Sequence, residues 1–387
     1  MTGSPSEPRG LRRVHQGGSG PATIGTRAPM VTVVVPTADR CDVLEQTLVL
    51  LLAQDWPTDR LEILVCDHSS DETGAMLERL AGTTDVRLER LVSDDALPAA
   101  RRNQGVRAAR GEYVIFLDDD VWVRPDFVRR HIEVHRRWPE PVAVVGLVEQ
   151  SPRMPKDPFV EWFRPFAYDE IADRAGEAVP FWFHRSMNLS MPRATMLERN
   201  LVFHEEWAEA GHDDVELGYR WERAGYRTVY EPAAWGEHYD PDDLAGACAR
   251  QAGYGRGLRD LEALVADPAL LERYGVFSWR SSTRAVVRGL ARRALFNRVT
   301  VPPLLERLER ADARRRWAEW SYWKVMLHHT EAGYRSTPAR VGYAAVTAPP
   351  VAGSAVVIHL SPPESDVVID LRDRLPDADV LDVVFAM

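Results

Sequence analysis

From residue 30 to residue 120 the chain alternates between β-branched runs and segments with apolar residues at helical spacing, and few architectures accept that order. "MVTVVVPTADR" (Met30 to Arg40) reads as a buried strand that opens into a loop. "CDVLEQTLVLLLAQDWP" follows with Val43, Leu44, Leu48, Leu51 and Leu52 on one helical face, and Pro57 stops it. "LEILVCDHSSDET" is a second buried strand, a helix over roughly Thr73 to Ala81 comes next, and "VRLERLV" is a short strand. "AARRNQGVRAARGE" reads as a helix closed by Gly111, "YVIFLDDD" as the strand after it, and "FWFHRSMNLSMPR" further on as another strand. Such alternation calls for a mostly parallel sheet flanked by helices, an α/β fold. In sheets of this kind ligands bind beyond the carboxyl ends of the strands. The polar residues Thr37, Asp39, Arg40, Asp67, Asp118, Asp119 and Asp120 fall at those ends.

Three adjacent carboxylates at the end of a hydrophobic strand repel one another and need a reason. Hard oxygen ligands in an Asp-x-Asp arrangement suit Mg²⁺ or Mn²⁺, and such an ion would attract a diphosphate. The plainer alternative is a solvated turn with N-capping aspartates, because a helix is expected to begin near Pro125. Asp67 follows "LEILVC" as Asp118 follows "YVIFL", so two strands bring acids to one sheet edge. A third acidic group, Asp213, Asp214 and Glu216 in "GHDDVELGYRWERAGY", opens a helix. Acids suit the first turn of a helix, but one of these is also a candidate general base. In "AARRNQG", Arg102 and Asn103 belong either to a solvated face or to a phosphate contact. His238, just past a strand, is a structural imidazole or a metal ligand. "GYGRG" lacks the spacing of a dinucleotide loop and follows helix-like sequence.

The 387 residues suffice for one large or two ordinary domains. A net charge of −10 argues against a general nucleic-acid binder. Cys41, Cys66 and Cys248 are far apart, which suggests neither a disulfide framework nor a zinc site, and a reducing, cytoplasmic setting fits. Residues 1–29 read as a disordered leader rich in Gly, Ser, Pro and Arg, without a signal-peptide core. Between Arg280 and Arg316 eleven Arg and no Lys face three acids, within a helical region expected over 243–340. Residues 341–387 read as a small β-containing segment; its last part, 361–387, holds seven acids against two Arg. Prolines and glycines interrupt the apolar stretch Val341 to Leu360, giving strand, turn and strand in place of a membrane span.

Taken in order, "VTVVVPTADR", "ILVCDHSSDET", "ARRNQGVRAARGEYVIFLDDDVWVRPDF", "MNLSMPR" and "GHDDVELGYRWERAGYRTVYEP" resemble family 2 glycosyltransferases of the GT-A fold, over roughly residues 30 to 240. The resemblance implies a catalytic domain over 30–242, with a nucleotide-sugar half (30–125) and an acceptor half (126–242). It implies that Pro36, Thr37 and Arg40 border the nucleotide, that Asp67 holds the base, and that Arg102 and Asn103 line the nucleotide site. Asp118 and Asp120 match the D-x-D motif, Asp120 as direct metal ligand, Asp118 nearer the ribose or metal waters, and Asp119 between them. His238 matches a further metal or diphosphate contact. Asp214 matches the base that activates the acceptor, with Asp213 beside it, and Arg220 also falls in place. The family's usual Asp-Asp/Asn-Gly-Ser loop reads Asp67-His68-Ser69-Ser70 here, and its Glu-Asp pair reads Asp213-Asp214.

The implied activity is inverting transfer from a UDP- or dTDP-type sugar to an acceptor hydroxyl, with Mn²⁺ or Mg²⁺. A nucleotidyltransferase on a similar sheet is the alternative, but "PTADRCD" lacks the Gly-rich basic loop such enzymes carry. A non-catalytic nucleotide-sugar-binding protein is another. The Arg-rich helices either meet a phosphorylated or lipid-linked acceptor or an anionic membrane, or form a solvated helical cover. Trp162, Phe163, Phe166, Phe181, Trp182 and Phe183 form either an acceptor wall or core.

Overall fold

The computed structural model describes residues 28–337 apart from 156, 164–167, 206, 208–210, 266–267, 277–280 and 310–315. The leader expected over 1–29 falls almost wholly, and the segment over 341–387 wholly, outside the described residues. β1 (Val31–Thr37), β2 (Leu61–Asp67), β3 (Arg87–Val92) and β4 (Tyr113–Leu117) alternate with α1 (Cys41–Leu52), α2 (Thr73–Ala81) and α3 (Pro98–Ala108). β1 pairs in parallel with both β2 and β4, and β2 pairs in parallel with β3. Every residue of β1 and β2 is buried, as a strand covered on both faces requires.

Past residue 120 the sheet becomes mixed. The strand order is β3-β2-β1-β4-β8-β6-β9-β5, where β5 is Val121–Val123, β6 Val142–Gln150, β8 Asn188–Pro192 and β9 Arg227–His238, and β7 (Ala178–Val179) also pairs with β9. β8 runs antiparallel to β4 and to β6, and β6 pairs in parallel with β9. Two expectations change here. The residues after Asp120 do not pass directly into a helix: β5 (Val121–Val123) intervenes, and α4 begins at Phe127 and runs to Arg137. "FWFHRSMNLSMPR" is not one strand but a 3₁₀ turn at Phe181–Phe183 followed by β8. Apolar content is similar in both cases, so periodicity alone could not separate them.

The remaining elements are α5 (Pro158–Trp162), α6 (Arg193–Glu198), α7 (Asp213–Arg223) and five helices of the C-terminal region: α8 (Leu244–Leu264), α9 (Pro268–Arg273), α10 (Thr283–Leu295), α11 (Val301–Glu309) and α12 (Arg316–Ser336). One core fills the sheet and its helices. A second joins Phe159 of α5 to Leu244, Cys248, Tyr322 and Val325 of α8 and α12. A third joins Val215 of α7 to Leu258 and Leu261 of α8. The helical region is therefore packed onto the sheet by shared apolar burial. Among the described residues no helix is long and apolar enough to cross a membrane.

Candidate functional site

The carboxyl ends of β1 and β4 border a cavity of about 200 Å³, lined by Pro36, Thr37, Ala38, Arg40, Pro98, Arg101, Arg102, Asp118, Asp119 and Asp120. Its basic wall comes from α3, which reaches the sheet because Gly105 has no side chain. A Cβ there would lie 2.4 Å from Val34 Cγ1 and 3.1 Å from Cys66 Sγ. That close approach carries Arg101 Nη1 to 2.6 Å from the Thr37 carbonyl. It also buries Arg102 between two acids, with Nη2 2.8 Å from Asp118 Oδ1 and Nη1 3.2 Å from Asp213 Oδ2. Burial works against the Arg102 charge, but Asp118 and Asp213 outweigh it and hold the guanidinium protonated.

The three aspartates have three different surroundings. Asp118 faces Arg102 and keeps part of its surface open. Asp119 is buried, accepts a hydrogen bond from Thr37 Oγ1 at 2.7 Å, and lies 3.0 Å from Arg40 Nη1. Burial, reinforced by the charge of Asp120, pushes the Asp119 carboxyl up to about 7. Asp120 is buried as well, 2.9 Å from Arg40 Nη1 and 3.5 Å from His238 Nε2. The strand β5 makes this last contact, since its register sets Val121 opposite His238, and the Tyr239 amide donates to the Asp120 carbonyl at 2.9 Å.

Asp120, His238 and Asp240 each offer a ligand atom within 4.8 Å of the others. Asp120 Oδ1 is buried without a hydrogen-bond partner, a costly state for a carboxylate that a cation would relieve. The residues present therefore fit a divalent ion. Asp118, expected among the metal ligands, stands instead on Arg102. Asp240 takes the third place and was missed by the sequence reading. A signal for it existed: His238 and Asp240 are two residues apart at a strand end, the spacing that puts side chains on one face.

The acidic helix start lies across Arg102 from the aspartates. His212 adopts a left-handed conformation (φ 68°) and turns the chain into α7. Asp213 is buried, and burial first, with Asp214 adding to it and Arg102 opposing, pushes its carboxyl up to about 6. Asp214 is the more open of the two; its Oδ2 accepts from the Ser186 amide at 3.1 Å and its Oδ1 from the Val215 amide at 2.7 Å. Glu216 is paired with Arg220 at 2.6 Å, and Arg220 also donates to the Val202 carbonyl, so both anchor α7.

Two other expected site residues lie outside the cavity. Asp67 is 1% exposed, with Arg90 Nε at 2.7 Å and the Ser69 amide at 2.9 Å. Asn103 is buried with its amide committed to the backbone of Phe203 in both directions and to Glu205. Arg101, two positions before it, lines the cavity together with Arg102. Among the aromatics, Phe181 and Phe183 are core, Trp182 packs against them, and Trp162 and Phe163 pack against the core of α5, α8 and α12. Phe166 lies outside the described residues.

Residues 32–189 match the family model described as Glycosyl transferase family 2. Validoxylamine A glucosyltransferase of Streptomyces hygroscopicus subsp. jinggangensis is 27% identical over 240 residues, 54% of this chain and 56% of that protein. The succinoglycan biosynthesis protein ExoO of Rhizobium meliloti is 36% identical over 108 residues, 28% of this chain and 30% of that one. The chain thus spans about half the length, or less, of these relatives. A solved structure of the mannosyltransferase PcManGT from Pyrobaculum calidifontis, in complex with GDP-Man and Mn²⁺, superposes with a TM-score of 0.56 at 22% identity, covering 80% of this chain and 87% of that one. At that identity the likeness is one of fold, the GT-A arrangement. Residues 32–189, the segment that matches the Glycosyl transferase family 2 model, carry every residue that lines the 200 Å³ cavity.

Proposed function

We propose that this protein is an inverting glycosyltransferase that moves a sugar from a UDP- or dTDP-type donor to an acceptor hydroxyl. The observation that carries the reading is the Arg102 bridge, which joins the aspartate turn after β4 to the acidic start of α7 within one salt-bridged cluster. A donor site and a proton acceptor are thereby neighbours. Asp120, His238 and Asp240 would hold Mn²⁺ or Mg²⁺, and the PcManGT complex, which contains Mn²⁺, supports that choice. When bound, such an ion offsets the charge of the donor's diphosphate and makes it a better leaving group. Arg40 and Arg101 add fixed positive charge at the cavity. Thr37 and Asp118 border the ribose side. Asp214 takes the proton of the acceptor hydroxyl while that oxygen bonds to the anomeric carbon and the bond from that carbon to the diphosphate breaks. Asp213, pushed up to about 6 chiefly by burial and paired with Arg102, stands beside it.

The test is titration of nucleotide sugars with and without Mn²⁺, followed by product analysis. Asp120→Ala should abolish the metal-dependent part of donor binding. Asp214→Asn should bind donor normally and lower transfer by about 100-fold or more. Transfer that survives in Asp214→Asn moves the base to Asp213 or Glu216. Formation of a nucleoside triphosphate and a sugar phosphate when pyrophosphate is supplied identifies a nucleotidyltransferase, and binding with no product a non-catalytic protein.

A peripheral contact with an anionic membrane is a second part of this reading. Val287, Leu290 and Leu295 on α10, with Val299 just beyond it and Trp320 and Trp323 on α12, are all more than half exposed. Arg284, Arg288 and Arg298 are exposed among the first four of these. Apolar side chains set among arginines match the chemistry of an anionic lipid surface.

A further inference from the structure

Arg102 is buried and Arg185 partly buried, and the two guanidinium groups differ in their partners. Arg102 has a carboxylate on each side. Arg185, in the loop before β8, makes no ion pair and no side-chain hydrogen bond among the described residues, and its Nε is buried without a partner. An enclosed cation without an anion is expensive, and pairing it is the usual remedy.

Its surroundings are those of a receptor with its donors in place. Tyr274, Asp214, Tyr168 and Tyr254 act electrostatically on the Arg185 guanidinium, yet none pairs with it. Tyr274 Oη and His212 Nε2 are likewise buried without partners, and His212 is only 7% exposed. The rings of His212 and Tyr274 are 4.7 Å apart, and those of His212 and Tyr254 are 5.8 Å apart. Burial first, then the Arg185 charge, pushes His212 down to about 3, so its imidazole is neutral and keeps one N–H. The geometry is also held in place. Gly211 and His212 are both left-handed, and a Cβ on Gly211 would lie 2.4 Å from the Tyr254 ring. These groups come from four different stretches: the loop before β8, the start of α7, the middle of α8 and the residue after α9.

We infer that Arg185, His212, Tyr254 and Tyr274 form an acceptor-side subsite that takes an anionic oxygen group, a phosphate or a carboxylate, carried by the acceptor. A guanidinium offers two parallel N–H bonds to such a group, and a phenol and an imidazole complete the shell. The subsite is on the acceptor side because the Ser186 amide, one residue on from Arg185, donates to Asp214 at 3.1 Å. The donor cavity has its own cations, Arg40, Arg101 and Arg102, and Arg185 does not line it. This assignment rests on Asp214 being the base of the proposed transfer. It also gives the C-terminal helices a task, since Tyr254 and Tyr274 lie beyond the segment matched by the family model.

The experiment is calorimetric titration of the full-length chain with glucose 6-phosphate, glucuronate and glucose, each with and without UDP and Mn²⁺. At least one anionic sugar should bind ten-fold or more tighter than glucose, and the tighter of the two names the group. UDP and Mn²⁺ should leave that affinity within about two-fold. Arg185→Gln should weaken it ten-fold or more, Arg185→Lys less, and Tyr274→Phe several-fold; this last variant keeps the ring and carries the test if Arg185→Gln does not fold. Anionic sugars that bind no better than glucose, binding that survives Arg185→Gln and Tyr274→Phe, or competition by UDP and Mn²⁺ would each overturn the subsite. Failure of nucleotide sugars to bind wild type overturns the transferase reading instead, and leaves Arg185-dependent anion binding standing.

Discussion

His131 and His135 lie four residues apart on α4 and share the hydroxyl of Ser190, at 2.9 and 2.7 Å. His131 Nε2 faces Asn188 Oδ1 at 2.9 Å, and that oxygen only accepts, so His131 carries its proton on Nε2. Nδ1 then accepts from Ser190, and Ser190 accepts from His135 Nε2–H, which completes a neutral chain. Burial pushes the two imidazoles down to about 4 and about 3. The unfolded chain binds protons near pH 6.5 that the folded chain refuses, so this stability is complete above that pH and drains away as the pH falls toward 4. Between pH 7 and pH 5 each imidazole costs about 2 kcal/mol. Asp119 and Asp213, with raised carboxyls, act in the opposite sense over the same range. Urea denaturation of wild type and the His131→Gln/His135→Gln variant isolates the imidazole share: the variant should lose less stability between pH 7 and pH 5. Equal losses would show that the imidazoles are not held neutral. None of this was legible in "FVRRHIEVHRR", where nothing separates the two histidines from their basic neighbours.

At the scale of elements, α3 and β5 decide the site. The helical period and the glycines of "AARRNQGVRAARGE" mark a helix, but which of its polar residues face the cavity depends on how closely it lies on β1 and β2. Gly105 sets that approach. Gly105→Val should cost about 2 kcal/mol or more by overpacking against Val34, and should weaken donor binding by shifting Arg101 and Arg102. A melting temperature equal to wild type would mean that the helix can slide at no cost. The short β5 was invisible for a different reason: three residues carry too little periodicity to separate a strand from the entry to α4. Its pairing with β9 is what brings His238 to Asp120. For α10, co-sedimentation with phosphatidylglycerol and phosphatidylcholine vesicles tests the membrane contact. Binding should require the anionic lipid, weaken with salt, and fall several-fold in Leu290→Ser/Leu295→Ser. Equal binding to both lipids, or no change in the variant, would remove it.

At the scale of the molecule, the helical region shares apolar cores with α5 and α7. α8 and α12 approach so closely that a Cβ on Gly255 would lie 1.9 Å from the Thr330 carbonyl, and one on Gly333 would lie 2.0 Å from the Ala252 carbonyl. Either glycine replaced by Val should separate the two helices and lower the melting temperature by several degrees. If Tyr254 and Tyr274 build the acceptor subsite, the same variants should raise the acceptor KM more than the donor KM. Equal rises, or none, would detach the helical region from acceptor binding.

The sequence by itself determined the alternating strands and helices of the nucleotide half, the acids at the ends of β2 and β4, and the resemblance to family 2 glycosyltransferases, because period, turn chemistry and motif order are local properties of a chain. The tertiary structure decided which of these residues meet. It set Asp118 on Arg102, joined Asp240 to Asp120 and His238, withdrew Asn103 into the packing around Phe203, and left Arg185 enclosed without an anion. Those outcomes depend on strand register and on distances between residues up to 120 positions apart. Burial and pairing, which set the charge state of each group, exist only once those distances are closed.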